Sequence, residues 1–270
     1  MGDPCDPALY PPASLAGSLV ELNSRTEWFH DSDRPPEAGP FVVVVDDFYH
    51  DPGEIRRIAL SKPFFQYHPP TPDQVGIIKA SKFAGLEPCW FSTALVRKMG
   101  EDVHDPQIGF RYNPPELRHR FEDLLYESVA SDTWESMGDW WNGAFHHINE
   151  HWQARGAAIH HHYRPGDVYP RGWSGVVYLS PDPPPWSGIS IWRHKDTGKC
   201  VASPGVRYYR DPDTLDHFEL AFLIENRYNR LLLFRENILH RVETGFGMGQ
   251  DARLTQTFFF QTERRPTLVE

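Results

Sequence analysis

Nothing in this sequence approaches the roughly 20 consecutive apolar residues that a bilayer-spanning helix needs, so no membrane span is expected. Cysteine is scarce. Cys5, Cys89 and Cys200 are the whole supply in 270 residues, too few and too far apart for a disulfide framework or a zinc knuckle, and we read them as free thiols. Positive charge is short as well: 27 Lys and Arg stand against 37 Asp and Glu, a net charge of −10. That balance repels phosphate backbones and leaves no basic stripe for DNA or RNA. The opening segment MGDPCDPALYPPAS has neither the basic nor the apolar region of a secretory signal, and a cytoplasmic location is the expectation.

What the chain does have is turn chemistry and aromatic bulk. Its 25 prolines, 20 glycines and 9 tryptophans point to strands joined by turns and loops, and away from a helical bundle. Residues 1–40, rich in Pro, Ser and acidic groups, read as an N-terminal extension that wraps the surface or frays. The β-branched run FVVVVDDFY predicts a buried strand from Phe41 to Val45. HDPGEIRRIALS predicts a short helix over 51–61, with Asp51 as N-cap, Pro52 at the first helical position and Glu54 at the capping-box place. Ile55, Ile58 and Ala59 share its inner face.

Residues 62–112 offer only short apolar pieces and stay unassigned. PPELRHRFEDLLYESVA predicts a longer helix over 114–130, because Leu117, Phe121, Leu124, Leu125 and Val129 form one apolar stripe. Beyond it the hydrophobic period switches toward two. WNGAFHHINEHW, AAIHHHYR, WSGVVYLS, GISIWRHK, NRLLLFREN and RLTQTFFFQ are strand-like runs divided by Pro, Gly and Asp. The fold class is therefore mainly β with flanking helices, an antiparallel sandwich or barrel such as a jelly roll, spanning 41–270 as a single domain. A small barrel of this kind can hold a ligand between its sheets.

Three consecutive histidines stand in AAIHHHYRPGD. In an extended strand side chains alternate, so His160 and His162 point one way and His161 the other. Two imidazoles so spaced can meet one cation. A third ligand has to come from elsewhere, and FRENILHRVETGFG supplies His240, 80 residues beyond His160. Neutral imidazoles suit iron, zinc, copper or nickel; the bland alternative is that the histidines are solvated strand residues.

Arg253, in ARLTQTFFF, follows His240 by 13 residues. An arginine on an inward face is costly unless it meets a carboxylate, for which its planar fork is the best bidentate partner. Either a dicarboxylate co-substrate or a structural salt bridge satisfies that need. In SGISIWRHKDTG, Gly188 opens a strand carrying Trp192, Arg193 and His194, which either line a substrate pocket or pack as core.

The order HHHYRPG, WSGVVYLSPDPPPWSGISIWRH, NRLLLFRENILHRV and RLTQTFFF resembles the double-stranded β-helix of the Fe(II) and 2-oxoglutarate-dependent oxygenases. FVVVVDDFYHDPGEIRRIAL, GVVYLSPDPPPWSGISIWRHK and RLTQTFFFQ are similar to a bacterial branch of that superfamily, and the likeness covers roughly residues 41–262. In that family an early His-x-Asp/Glu pair and a late His leave metal positions open for co-substrate and oxygen. A basic residue further on grips the far carboxylate of 2-oxoglutarate. Carried over, the resemblance implies His160, His162 and His240 as Fe(II) ligands and Arg253 as the co-substrate anchor. Tyr178 and Thr255 are hydrogen-bonding candidates, and Trp173, Trp192 and His194 candidates for the substrate pocket.

The chain departs from the family where His162 stands in place of the carboxylate. Asp167 is the alternative ligand, though it lies beyond RPG in an expected loop. An all-histidine site is more electropositive and favours anionic ligands. It also resembles the ligand set of cupin-like dioxygenases, which bind the organic substrate to the metal and need no 2-oxoglutarate. His162 is not the small residue that halogenating members carry, which disfavours halogenation. The expected activity is oxidation of a C–H bond of a small molecule, such as an amino acid or a biosynthetic intermediate, by molecular oxygen. Rivals are a 2-oxoglutarate-independent three-histidine dioxygenase, a zinc hydrolase, and a non-catalytic jelly-roll binding module. Oligomeric state is not legible.

Overall fold

A computed structural model describes residues 19–23, 26–29, 41–66, 89–94, 109–135, 142–152, 159–162, 172–202 and 216–264. The large sheet is antiparallel throughout. Its strands are β1 (Leu19–Asn23), β2 (Thr26–Phe29), β3 (Val42–Val45), β4 (Phe65–Gln66), β5 (Trp90–Ser92), β6 (Glu127–Val129), β7 (Ala144–Ile148), β8 (Gly172–Tyr178), β11 (Leu231–Arg235) and β13 (Arg253–Arg264). They run in the order β1-β2-β3-β11-β8-β13-β7-β5-β4, with β6 paired to β13. A second sheet has β9 (Ile189–His194) between β10 (Phe218–Ile224) and β12 (His240–Val242). Among the described residues three helices, α1 (Pro52–Leu60), α2 (Pro115–Leu125) and α3 (Ser131–Glu135), flank the sheets, giving the β-rich jelly-roll-like fold expected.

The period-two pattern divides the core into two layers. Val43 and Val45 of β3, Val177 of β8, Leu231 and Leu233 of β11, and Phe258 and Phe260 of β13 face the helices. There they pack on Ile55 and Ala59 of α1 and on Leu117, Phe121 and Leu125 of α2. Their neighbours one residue along, Val42, Val44, Val176, Tyr178, Leu232 and Phe234, turn to the other face and meet Ile189 and Ile191 of the small sheet. Val42–Val45 is thus buried on both sides, which is why it reads as an unbroken apolar run. The space between the two sheets is where the histidines converge.

α1 forms as its caps predict: Asp51 accepts a hydrogen bond from the Glu54 amide at 2.9 Å and Pro52 opens the helix. The Glu54 carboxylate pairs with Arg57, and Ile58 is half-buried while Ile55 and Ala59 are buried. The longer helix ends sooner than its apolar stripe. Tyr126 adopts a left-handed φ of 54°, terminating α2 at Leu125, and Glu127–Val129 continue as β6 on the edge of β13. Val129 therefore reaches the core from a strand. Within 1–40, β1 and β2 add to the sheet beside β3, where the sequence offered no periodicity.

Candidate metal centre

Segment 159–162 is tied to the approach of β12 by main-chain bonds. His160 and His240 exchange amide hydrogen bonds of 3.0 and 2.9 Å, and the His162 amide donates to the Glu236 carbonyl at 2.7 Å. His240 in turn stands opposite Ile191 of β9. This lacing brings the three rings together, with centroid separations of 5.1 Å (His160 to His162), 4.4 Å (His160 to His240) and 4.8 Å (His162 to His240). One potential ligand atom from each lies within 4.8 Å of the others. A metal–nitrogen bond of about 2.0–2.1 Å draws such atoms closer still, a difference that small ring rotations supply. Among the described residues this is the only group of three or more His, Cys, Asp or Glu so arranged. Phe234 closes against His240 at 4.5 Å between centroids and Phe259 against His162 at 5.0 Å.

Neighbouring groups occupy Nδ1 of two of the three rings. His240 Nδ1 lies 2.8 Å from the Ile238 carbonyl, which can only accept, so Nδ1 holds the proton and Nε2 keeps the lone pair. His162 Nδ1 is 2.7 Å from the hydroxyl of buried Ser174 on β8. With Nδ1–H donating there, Nε2 is again the free donor atom. Burial first, then the neighbouring His160 and His162, hold the His240 imidazole well below the ordinary histidine range and therefore neutral. His161 is half-buried and is not one of the three.

Further along the same interlayer space is Arg253, only 1% exposed. Its Nε donates to the Ser187 carbonyl at 2.9 Å, and its guanidinium carbon is 5.7 Å from the Tyr178 ring centre. No described carboxylate forms an ion pair with it. Glu243, which acts on it electrostatically, is already held by Arg241 through two bonds of 3.0 Å. Thr255 stands directly across from Tyr178 on one side and His146 of β7 on the other, so these side chains share one inner face. Burial pushes the Tyr178 hydroxyl up to about 12, against the opposing pull of Arg253 and Arg230. His240 is opposite Ile191, and Arg253 bonds to Ser187, four residues earlier. Ser187 ends a 3-10 turn just before β9, so the backbone separation is less than the roughly 13 Å that four fully extended residues span.

The remaining candidates are placed elsewhere. Trp173 faces the helices, its indole donating to Glu127 at 3.1 Å beneath the Arg235 guanidinium. Trp192 lies on the face of β9 opposite Ile191, under Arg241 and bonded to Ser190 at 2.7 Å. His194 is at the far end of β9, beside His217 and Phe218. The alternation of strand side chains turns these three residues to faces other than that of the imidazole cluster. Asp167 lies outside the described residues. Sequence reasoning missed Ser174 and His146, whose partners come from other segments of the chain, and the Ile238 carbonyl, a main-chain group two residues before His240 that carries no side-chain signal.

No protein-family model matches the chain, and no curated protein matches it. Among solved structures, HygX from Streptomyces hygroscopicus with nickel, 2-oxoglutarate and hygromycin B bound is 11% identical, over 86% of this chain and 85% of that one, with a TM-score of 0.42. The same protein with nickel and 2-oxoglutarate bound gives 12% identity, the same coverage and a TM-score of 0.42. With iron bound it gives 13% identity over 74% and 88%, at 0.28. Likenesses of this depth carry no argument about function, which has to rest on the imidazole cluster and the buried arginine.

Proposed function

We propose that this chain is a non-haem Fe(II)-dependent oxygenase that uses 2-oxoglutarate and molecular oxygen to oxidise a C–H bond of a small molecule, such as an amino acid or a biosynthetic intermediate. One observation carries the reading. Three convergent imidazoles and a buried arginine with no ion-pair partner among the described residues both lie on the faces where the two sheets meet. The donor set fits Fe(II), since neutral imidazole nitrogen is a ligand that iron accepts. It also leaves the ion's charge uncompensated, so an anionic co-ligand is favoured.

His160, His162 and His240 would hold the ion, with Ser174 and the Ile238 carbonyl orienting two of the rings. Fe(II), when bound, supplies the oxygen chemistry that no side chain can. Arg253 offers its fork to the far carboxylate of 2-oxoglutarate, and the Tyr178 and Thr255 hydroxyls lie beside it as further hydrogen-bonding groups. A buried cation is costly when alone and favourable when a carboxylate completes it, so the arginine makes the site selective for a dicarboxylate. Phe234, Val176 and Leu232 belong to the buried apolar cluster between the two sheets.

The test is an anaerobic titration with Fe(II) and then 2-oxoglutarate. A weak visible charge-transfer band, formed only when both are present, is expected, and succinate release follows on exposure to oxygen. Iron binding without that band would favour a second reading, supported by the carboxylate-free donor set: a three-histidine dioxygenase that binds its organic substrate directly to the metal. Zinc in protein purified without added metal would favour a hydrolase.

A further inference from the structure

His146 is a buried histidine that the ligand set does not use. It is fully buried on β7, directly across from Thr255, with Arg253 one inward position along β13. Its Nδ1 lies 2.9 Å from Nε1 of Trp90. An indole N–H can only donate, so Nδ1 is the acceptor and a neutral ring must carry its proton on Nε2. The indole is itself fixed: Trp90 meets Trp152 edge-on, with centroids 4.9 Å apart and planes at 90°, and Trp152 donates to the Glu243 carbonyl at 2.9 Å. Burial first and the Arg253 charge second bring the His146 pKa down to about 3, so the ring is neutral throughout the physiological range.

We propose that His146 is a second carboxylate-binding residue beside Arg253, an Nε2–H donor held in that tautomer by Trp90. The inference rests on the reading of Arg253 as the co-substrate anchor and extends it. A neutral donor next to a guanidinium adds a hydrogen bond to an incoming carboxylate without adding a second buried charge, whose desolvation would oppose folding. Trp90 is a positioning residue: it fixes which ring nitrogen donates. The donors Arg253, His146 and Thr255 then lie on adjacent strands, and a planar carboxylate with two oxygens can use more than one of them at once.

Two variants separate the two nitrogens of the ring. His146→Asn keeps an acceptor near the Nδ1 position for Trp90 but removes the Nε2–H donor. His146→Gln puts an amide N–H near the Nε2 position and gives up the acceptor. Binding of 2-oxoglutarate to the Fe(II)-loaded protein, measured by calorimetry without oxygen, is expected to weaken about tenfold or more in His146→Asn. His146→Gln should retain most of the affinity, and metal affinity should be unchanged in both. Long-range nitrogen–proton NMR of the metal-free wild type should show the His146 proton on Nε2, and Trp90→Phe should shift it toward Nδ1. Wild-type affinity in His146→Asn, or a proton on Nδ1 in the wild type, overturns the inference while leaving Arg253 as anchor. Failure of the wild type to bind 2-oxoglutarate overturns both.

Discussion

The hydroxyl of Ser174 lies 2.7 Å from Nδ1 of His162, and that contact decides which nitrogen of the ring is left to meet a cation. Ser174 and His162 belong to segments paired with different strands, so the bond also joins the large sheet to the histidine segment. Loss of an orienting partner of a metal-bound histidine typically lowers affinity 10–100-fold. Ser174→Ala is expected to weaken Fe(II) binding by about that factor, while Ser174→Thr, which keeps a hydroxyl, should bind nearly as the wild type. Competition with a chelator of known affinity measures both.

Arg253 distinguishes a ligand anchor from a structural ion pair. Arg253→Met removes the fork, and 2-oxoglutarate affinity should fall about 100-fold or more, the usual consequence of truncating one side of a buried charge pair. Fe(II) affinity should hold. Because the cation has no ion-pair partner among the described residues, its removal also relieves desolvation. The metal-free variant should therefore unfold at no lower urea concentration than the wild type; a large loss of stability would mark the arginine as structural.

Buried His146 and half-buried His147 add to His240 in making stability depend on pH. Burial, then Arg253, lowers His146 to about 3, and burial, then Arg56, lowers His147 to about 4, against 6.5 for an ordinary histidine. Between those values and 6.5 the unfolded chain binds more protons than the folded one, so stability rises with pH across the window. The contribution is complete above about 6.5 and is lost as pH falls toward 4 and then 3. Each histidine should cost on the order of 1–2 kcal/mol between pH 6.5 and 5. Urea midpoints at pH 7 and 5 give the slope, and His146→Asn should reduce it.

Glu127 is the hub of a buried network facing the helices. It accepts from Arg235, from the Trp173 indole and from Thr262, and Arg235 stacks over the Trp173 ring at 4.1 Å. Glu127→Ala removes the carboxylate that faces the buried Arg235 charge, at an expected cost of about 3–5 kcal/mol in urea unfolding. Iron affinity, referred to the folded fraction, should stay close to wild type, since the network faces away from the imidazoles.

Local patterns were legible where one segment carries its own signal. The valine run at β3, the caps of α1 and the apolar stripe that begins α2 each follow from short-range chemistry. The end of α2 was not, because the stripe runs through Leu125 to Val129 and the left-handed turn at Tyr126 breaks it without a glycine. The spacing of His160 and His162 and the later His240 mark the cluster. Its supporting partners were hidden, since Ser174 faces His162 and Trp90 faces His146 only through strand pairings made far apart in the chain. Trp173 and Trp192 show the converse: a tryptophan's presence says little about which face of its strand it takes.

The most direct measurement is the iron retained per chain by wild type and by His240→Ala, loaded side by side without oxygen and passed through a desalting column. If His160, His162 and His240 close on one ion, the wild type retains about one Fe(II) per chain and the variant close to none. Iron at the wild-type ratio in a folded His240→Ala protein would contradict the site.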